Sequence, residues 1–150
     1  MTTYFVDTSA LAKRYLIETG TNWIRGLLAP SSGHIIVDCD FTPIEFFSLL
    51  SRRLREQKLT PVDATHLRQA FLAHHQIDYL SVTLEQPLLI QARNLVTKYP
   101  LRPPDAIQLA CALEARNSLG VSLVFLCADN DLLSAATAEG FAVDNPNLHP

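Results

Sequence analysis

The run Tyr4-Phe5-Val6, followed at once by Asp7-Thr8-Ser9, constrains this chain more than any other stretch. Aromatic and β-branched residues leading straight into a carboxylate, two hydroxyls and then Ala10 and Leu11 describe a buried strand that hands over to a helix. Asp7 then stands at the carboxyl end of that strand. In an open parallel sheet this edge is where ligands bind, so Asp7 is a candidate site residue; it is equally suited to be only the cap of the following helix.

The rest of the chain repeats the same alternation. Residues 9 to 18 place Ala10, Leu11, Tyr15 and Leu16 on one helical stripe, with Lys13 and Arg14 turned toward a solvated face. A second helical pattern around Trp23-Ile24 and Leu27-Leu28 stops at Pro30, and Ile35-Ile36-Val37 is a short strand ending in Asp38-Cys39-Asp40. Residues 43 to 57 read as a helix with Pro43 near its start and Glu45 in its first turn; Thr60 caps and Pro61 opens another, reaching about His75, so that the two form a hairpin. Tyr79 to Val82 is a third strand, and a helix runs from about Leu88 to Tyr99. Leu101-Arg102-Pro103-Pro104-Asp105 reads as a stiff turn opening a helix from Ala106 to about Asn117. Leu123 to Ala128 is the most hydrophobic run, expected as an interior strand, and it too delivers an acid, Asp129. A helix from Leu132 to Glu139 and a last strand around Phe141 to Val143 follow. Strands alternating with helices predict a parallel sheet covered on both faces, in one domain over residues 1–150.

Composition narrows the chemistry. With 150 residues, 48% of them hydrophobic, the chain can bury a full core. No apolar run approaches the ~20 residues of a membrane span and no secretory leader is evident, which predicts a cytoplasmic protein. Cys39, Cys111 and Cys127 lie in apolar segments without C-x-x-C spacing and read as small buried hydrophobes. The histidines show no metal-binding spacing and read as surface or helix-face residues. A net charge of −3 argues against gripping a polyanion by bulk electrostatics, so such a partner needs a local basic patch or a bound cation.

The topology gathers the acids. In a βα unit the strand's carboxyl end and the next helix's N-terminus share one sheet edge. Asp7, Glu45 and Asp129 are therefore expected there together, whereas the return of Asp105 to the same edge depends on how residues 85 to 99 cross the sheet. Each acid also has a plain structural use as a cap or a first-turn dipole partner. Crowded carboxylates repel one another unless a cation sits among them, and hard oxygen donors without paired His or Cys select Mg²⁺ or Mn²⁺. Such an ion can neutralise a phosphodiester and activate water for in-line attack. Arg52, Arg53, Arg55 and Lys58 form a basic run of the kind that is usually a solvated face, but Arg52, seven residues past Glu45 and about two turns along the same side, is also placed to reach a phosphate.

At this point the chain resembles the PIN-domain family, and within it the VapC-like ribonuclease toxins of bacterial toxin–antitoxin modules. The resemblance runs over almost the whole chain, in Phe5-Val6-Asp7-Thr8-Ser9-Ala10-Leu11, Pro43-Ile44-Glu45-Phe46 with Leu49 and Arg52, Leu101-Arg102-Pro103-Pro104-Asp105-Ala106-Ile107-Gln108-Leu109-Ala110, and Ala128-Asp129-Asn130-Asp131-Leu132 with Ala135-Ala136 and Gly140. It implies a three-layer α/β/α domain with a central parallel sheet of about five short strands, and an acidic pocket holding Mg²⁺ or Mn²⁺ for endonucleolytic cleavage of RNA. It further implies Asp7, Glu45, Asp105 and Asp129 as the catalytic, metal-holding set, with Thr8 or Ser9 as the supporting hydroxyl and Asp131 close enough to Asp129 to share or replace its role. A homodimer and an antitoxin protein that inserts a peptide near the pocket are the partners it implies. Two other readings stand beside it: a non-catalytic module that binds protein or RNA, and an aspartyl-phosphate phosphatase with Asp7 as nucleophile, which lacks the acid wanted at position 9, where Ser9 stands.

Overall fold

The computed structural model describes residues 1–150 as five parallel strands between two helical layers. In chain order these are β1 (Thr3–Val6), α1 (Thr8–Leu11), α2 (Thr21–Leu28), β2 (Ile35–Cys39), α3 (Thr42–Arg55), α4 (Pro61–Ile77), β3 (Tyr79–Val82), α5 (Gln86–Lys98), α6 (Pro103–Leu119), β4 (Val124–Leu126), α7 (Asn130–Ala138) and β5 (Ala142–Asp144). Three short 3₁₀ turns follow α1, α2 and β5. The strand order is β3-β2-β1-β4-β5. The chain therefore builds outward from β1 to one edge, crosses back through α5 and α6, and continues on the other side.

Adjacent residues of one strand serve opposite cores, the signature of a sheet buried on both faces. Phe5, Val37 and Phe125 pack with Leu88, Leu95, Leu109, Leu113 and Leu132 in the layer of α5, α6 and α7. Their neighbours Val6, Ile36 and Leu126 pack with Leu11, Ile24, Leu28, Phe46, Leu50 and Phe71 in the layer of α1 to α4. Phe5 and Phe125 sit opposite each other in the β1–β4 ladder and stack at 5.5 Å. Tyr15, Phe46 and Phe71 form the aromatic centre of the other layer.

Two expectations are corrected. The helix expected over residues 9 to 18 is a single α-turn and a 3₁₀ turn ending at Arg14. Its apolar stripe is buried as expected, but Lys13 and Arg14 are not solvated. The Lys13 ammonium is buried against Glu18 at 3.1 Å, and the Arg14 guanidinium donates to Tyr79 Oη at 2.6 Å and lies 3.1 Å from His74 Nε2. Those tertiary partners, together with the Thr21 hydroxyl that accepts from Glu18 N, turn the chain before a second helical turn can form. The second correction concerns Pro103 and Pro104, which are the first residues of α6 and not a turn ahead of it. Proline suits these positions because the first helical N–H groups have no intrahelical acceptor to lose. His74, His75 and His149 are also less passive than expected: His75 Nδ1 lies 2.6 Å from the carboxylate of fully buried Asp38, and His74 Nδ1 lies 2.8 Å from Tyr15 Oη.

Replacement of the fully buried Phe71 by alanine opens a cavity where three aromatic side chains meet. Phe71→Ala is expected to lower unfolding stability by about 3–5 kcal/mol in chemical denaturation. Leu80→Ala, on a residue that is 51% exposed, is expected to change it by less than about 0.5 kcal/mol.

Candidate active site

The strand order reverses beside β1, so the crossovers leave from β1 and β4 in opposite directions and open a crevice at their carboxyl ends. A cavity of about 740 Å³ occupies it, lined among others by Asp7, Thr8, Ser9, Glu45, Arg52, Asp105 and Asp129. All four acids expected from the sequence face this one space, Asp105 included. Asp131 is exposed and does not line it.

Each acid arrives at the amino end of a helix. Asp7 is the N-cap of α1 and Asp129 the N-cap of α7; Glu45 lies in the first turn of α3 and Asp105 in that of α6. Capping and site formation are compatible because a carboxylate has two oxygens. Asp7 accepts from Ser9 N at 3.1 Å, Ser9 Oγ at 2.6 Å and Cys127 Sγ at 3.4 Å, all on Oδ2. Asp129 likewise accepts from Asp131 N and Leu132 N on Oδ1 alone. One oxygen of each side chain remains for a ligand.

A second set of side chains holds the first. Ser9 Oγ, while donating to Asp7, accepts from Ala128 N at 3.0 Å and so ties the end of β1 to the end of β4. Thr8 Oγ1 donates to Glu45 Oε1 at 2.9 Å. Gln108, fully buried on α6, donates from Nε2 to the same Glu45 oxygen at 2.6 Å and lies within 3.1 Å of Thr8 Oγ1 and 3.3 Å of Thr42 Oγ1. Both hydroxyls considered as supports are therefore used, Ser9 on Asp7 and Thr8 on Glu45. Gln108 and Cys127 were missed as contributors. A polar amide on an otherwise apolar stretch of helix, Ala106-Ile107-Gln108-Leu109-Ala110, was the available signal for the first; nothing distinguished Cys127 from the other buried cysteines.

The electrostatics follow from crowding and burial. The Glu45 carboxyl is pushed up to about 7, chiefly by burial, with the Asp7 and Asp105 charges adding to the rise and the Gln108 and Thr8 donors opposing it. Asp7 is raised by burial above the ordinary carboxylate range against the pull of Ser9, and Asp105 is raised by burial while Arg102, 3.5 Å away, pulls it down. Among the cations of the lining, Lys13 and Arg53 are both engaged by Glu18 and Arg102 by Asp105. Arg52 makes no ion pair and is exposed at the cavity.

No three His, Cys, Asp or Glu side chains stand close enough to clasp a metal ion directly. The donor set nonetheless fits a hydrated hard cation: it is all oxygen, its carboxylates push one another's protonation upward, and Mg²⁺ characteristically keeps several waters and takes only one or two protein carboxylates. A groove of about 470 Å³ between β3, α5 and the end of α6 carries only Glu85 and Glu114 as charged groups and has no comparable convergence.

The PIN domain family model matches residues 4–137. Among solved structures, the sarcin–ricin-loop-cleaving toxin VapC20 of Mycobacterium tuberculosis is similar in fold, with a TM-score of 0.65 at 18% identity over 98% of this chain and 99% of that one. PAE2754 from Pyrobaculum aerophilum gives a TM-score of 0.63 at 18% identity, over 98% of this chain and 92% of its own. No curated protein matches the sequence.

The raised acids make stability depend on pH. A folded state that favours protonated Glu45 gains its full contribution below the unfolded value of 4.5 and loses it as pH rises through about 7. The metal-free protein is therefore expected to show a Tm that falls between pH 5 and pH 8, and Glu45→Gln is expected to flatten that fall, read by thermal unfolding at fixed ionic strength.

Proposed function

The chain belongs to the PIN-domain family, and from that premise we propose that it is a divalent-metal-dependent endoribonuclease, the toxin of a cytoplasmic toxin–antitoxin pair. The observation that carries the reading is the convergence of Asp7, Glu45, Asp105 and Asp129, from four separate βα or αα junctions, on one cavity at the reversal point of the sheet. The polarity of the sheet brings helix starts to this edge, but capping alone does not call for four carboxylates in one cavity, where their mutual repulsion is a standing cost. Similarity in fold to VapC20, a toxin that cleaves the sarcin–ricin loop, supports RNA as the substrate, and the antitoxin partner rests on the resemblance to VapC-like toxins.

In this reading Asp7 and Asp129, each with one oxygen free of helix capping, would hold Mg²⁺ or Mn²⁺ together with Glu45 and Asp105. When bound, such an ion would supply positive field to the phosphodiester and would activate water for attack. The protein's own residues do the rest. Ser9 and Cys127 fix the Asp7 carboxylate, and Gln108 and Thr8 fix that of Glu45. Arg52, the cation without a carboxylate partner, receives the phosphate. A homodimer, as in the family, completes the proposal.

Asp7→Asn is expected to reduce cleavage of single-stranded RNA about a hundredfold or more while leaving Tm unchanged or higher, because it removes a charge from a buried and crowded site. Chelation should abolish wild-type cleavage and Mg²⁺ or Mn²⁺ should restore it. Calorimetry run in parallel separates the alternatives: metal binding without cleavage would replace the enzyme by a non-catalytic RNA- or protein-binding module.

A further inference from the structure

The segment after β5 is anchored at several points although it is short and mostly surface-lying. Asp144 Oδ1 accepts from Asn145 N at 2.8 Å and lies 2.9 Å from His149 Nε2. The His149 ring stacks on Trp23 of α2, with centroids 3.9 Å apart and planes within 6°. Asn145 is buried; its Oδ1 accepts from Asn147 N at 2.9 Å and its Nδ2 approaches Asn130 Oδ1 at 3.4 Å, next to Asp129. Gly20, at φ +87°, lies so close that a Cβ there would stand 2.3 Å from the Pro146 carbonyl oxygen. The anchored residues lie beyond residue 137, where the family match ends, and are held by Gly20, Trp23 and Asn130 within it.

The anchoring presents one side chain. Asn147 is exposed, its backbone N–H is pinned by Asn145, its side-chain amide makes no hydrogen bond within the chain, and it lines the acidic cavity. It is the only amide side chain in that lining, where the remaining polar groups are charged or hydroxyl-bearing. Charged groups grip phosphates without regard to sequence, whereas an amide sets a donor beside an acceptor and matches the edge of a base. Bases of single-stranded RNA expose such edges.

We propose that residues 144–149 form a strap that holds Asn147 at the cavity, where its amide reads the edge of the nucleobase next to the scissile phosphate. Asn147 is thereby a specificity-determining residue. The assignment of the phosphate rests on the ribonuclease reading; the recognition of a base is tested apart from cleavage.

The test uses the full chain carrying Asp7→Asn, so that RNA is bound and not cut, with a random-sequence single-stranded RNA pool whose bound fraction is sequenced. The expected result is enrichment of particular bases at one position, reduced about tenfold when Asn147→Ala is added. Trp23 is the chain's single tryptophan, so its emission reports whether the strap is seated. It should be unchanged by Asn147→Ala and shifted by Gly20→Ala, which unseats the strap and is expected to lose the same enrichment; should Gly20→Ala not fold, His149→Ala removes the stacking anchor and takes its place. Equal enrichment with and without Asn147, enrichment retained when the emission shows the strap unseated, or no RNA binding at all would overturn the proposal. Failure of the wild-type chain to cleave RNA, with Asn147-dependent enrichment intact, would strike the ribonuclease reading and leave base recognition standing.

Discussion

The structure depends on the polarity of a parallel sheet. Every strand delivers its carboxyl end, and the helix after it its amino end, to the same edge, so side chains from distant parts of the chain meet there. All four acids exploit this by standing at helix amino termini, where unsatisfied N–H groups and the helix dipole favour negative charge. The backbone thus offsets part of the cost of concentrating carboxylates in a half-buried crevice. Burial dominates what remains, which is why Asp7, Glu45 and Asp105 all shift upward.

Precision comes from a layer of neutral donors behind the acids. Gln108 reaches from α6 to Glu45 on α3 and to Thr8 on α1, so that a single buried amide links the two helical layers across the end of the sheet. Ser9 performs the same service between β1 and β4 through Asp7 and Ala128. Buried polar groups of this kind are costly if left unpaired, so the network either forms as a whole or is not tolerated. Its directional character fixes which carboxylate oxygen is occupied and which is free. The cations are placed in the same way: Glu18 engages Lys13 and Arg53 together and Asp105 engages Arg102, which leaves Arg52 as the one cation of the lining without a carboxylate partner.

Strand identity, the α/β alternation and three of the four acids were legible because they depend on local pattern and on the handedness of βα units. The strand at Val124–Leu126 and the helix at Pro61–Ile77 follow directly from apolar runs and a Thr-Pro start. Asp105 was not settled, since two consecutive helices, α5 and α6, separate it from the preceding strand and periodicity does not say where such a pair returns. The helix expected through residue 18 failed for a related reason: Lys13 and Arg14 are good helix formers, and only distant partners, Tyr79 and His74 among them, draw the chain out of the helix.

By itself, then, the amino-acid sequence determined the layered parallel fold and the presence of a converging set of carboxylates, because strand burial and helix starts are written in neighbouring residues. Only the tertiary structure decided which oxygen of each acid is free, that Gln108 and Cys127 support them, that Asp129 and not Asp131 faces the cavity, and that Asn147 joins its rim. Those outcomes depend on hydrogen bonds and close approaches between residues as much as 120 positions apart, as in the Asp7–Cys127 contact, and such contacts leave no local pattern along the chain.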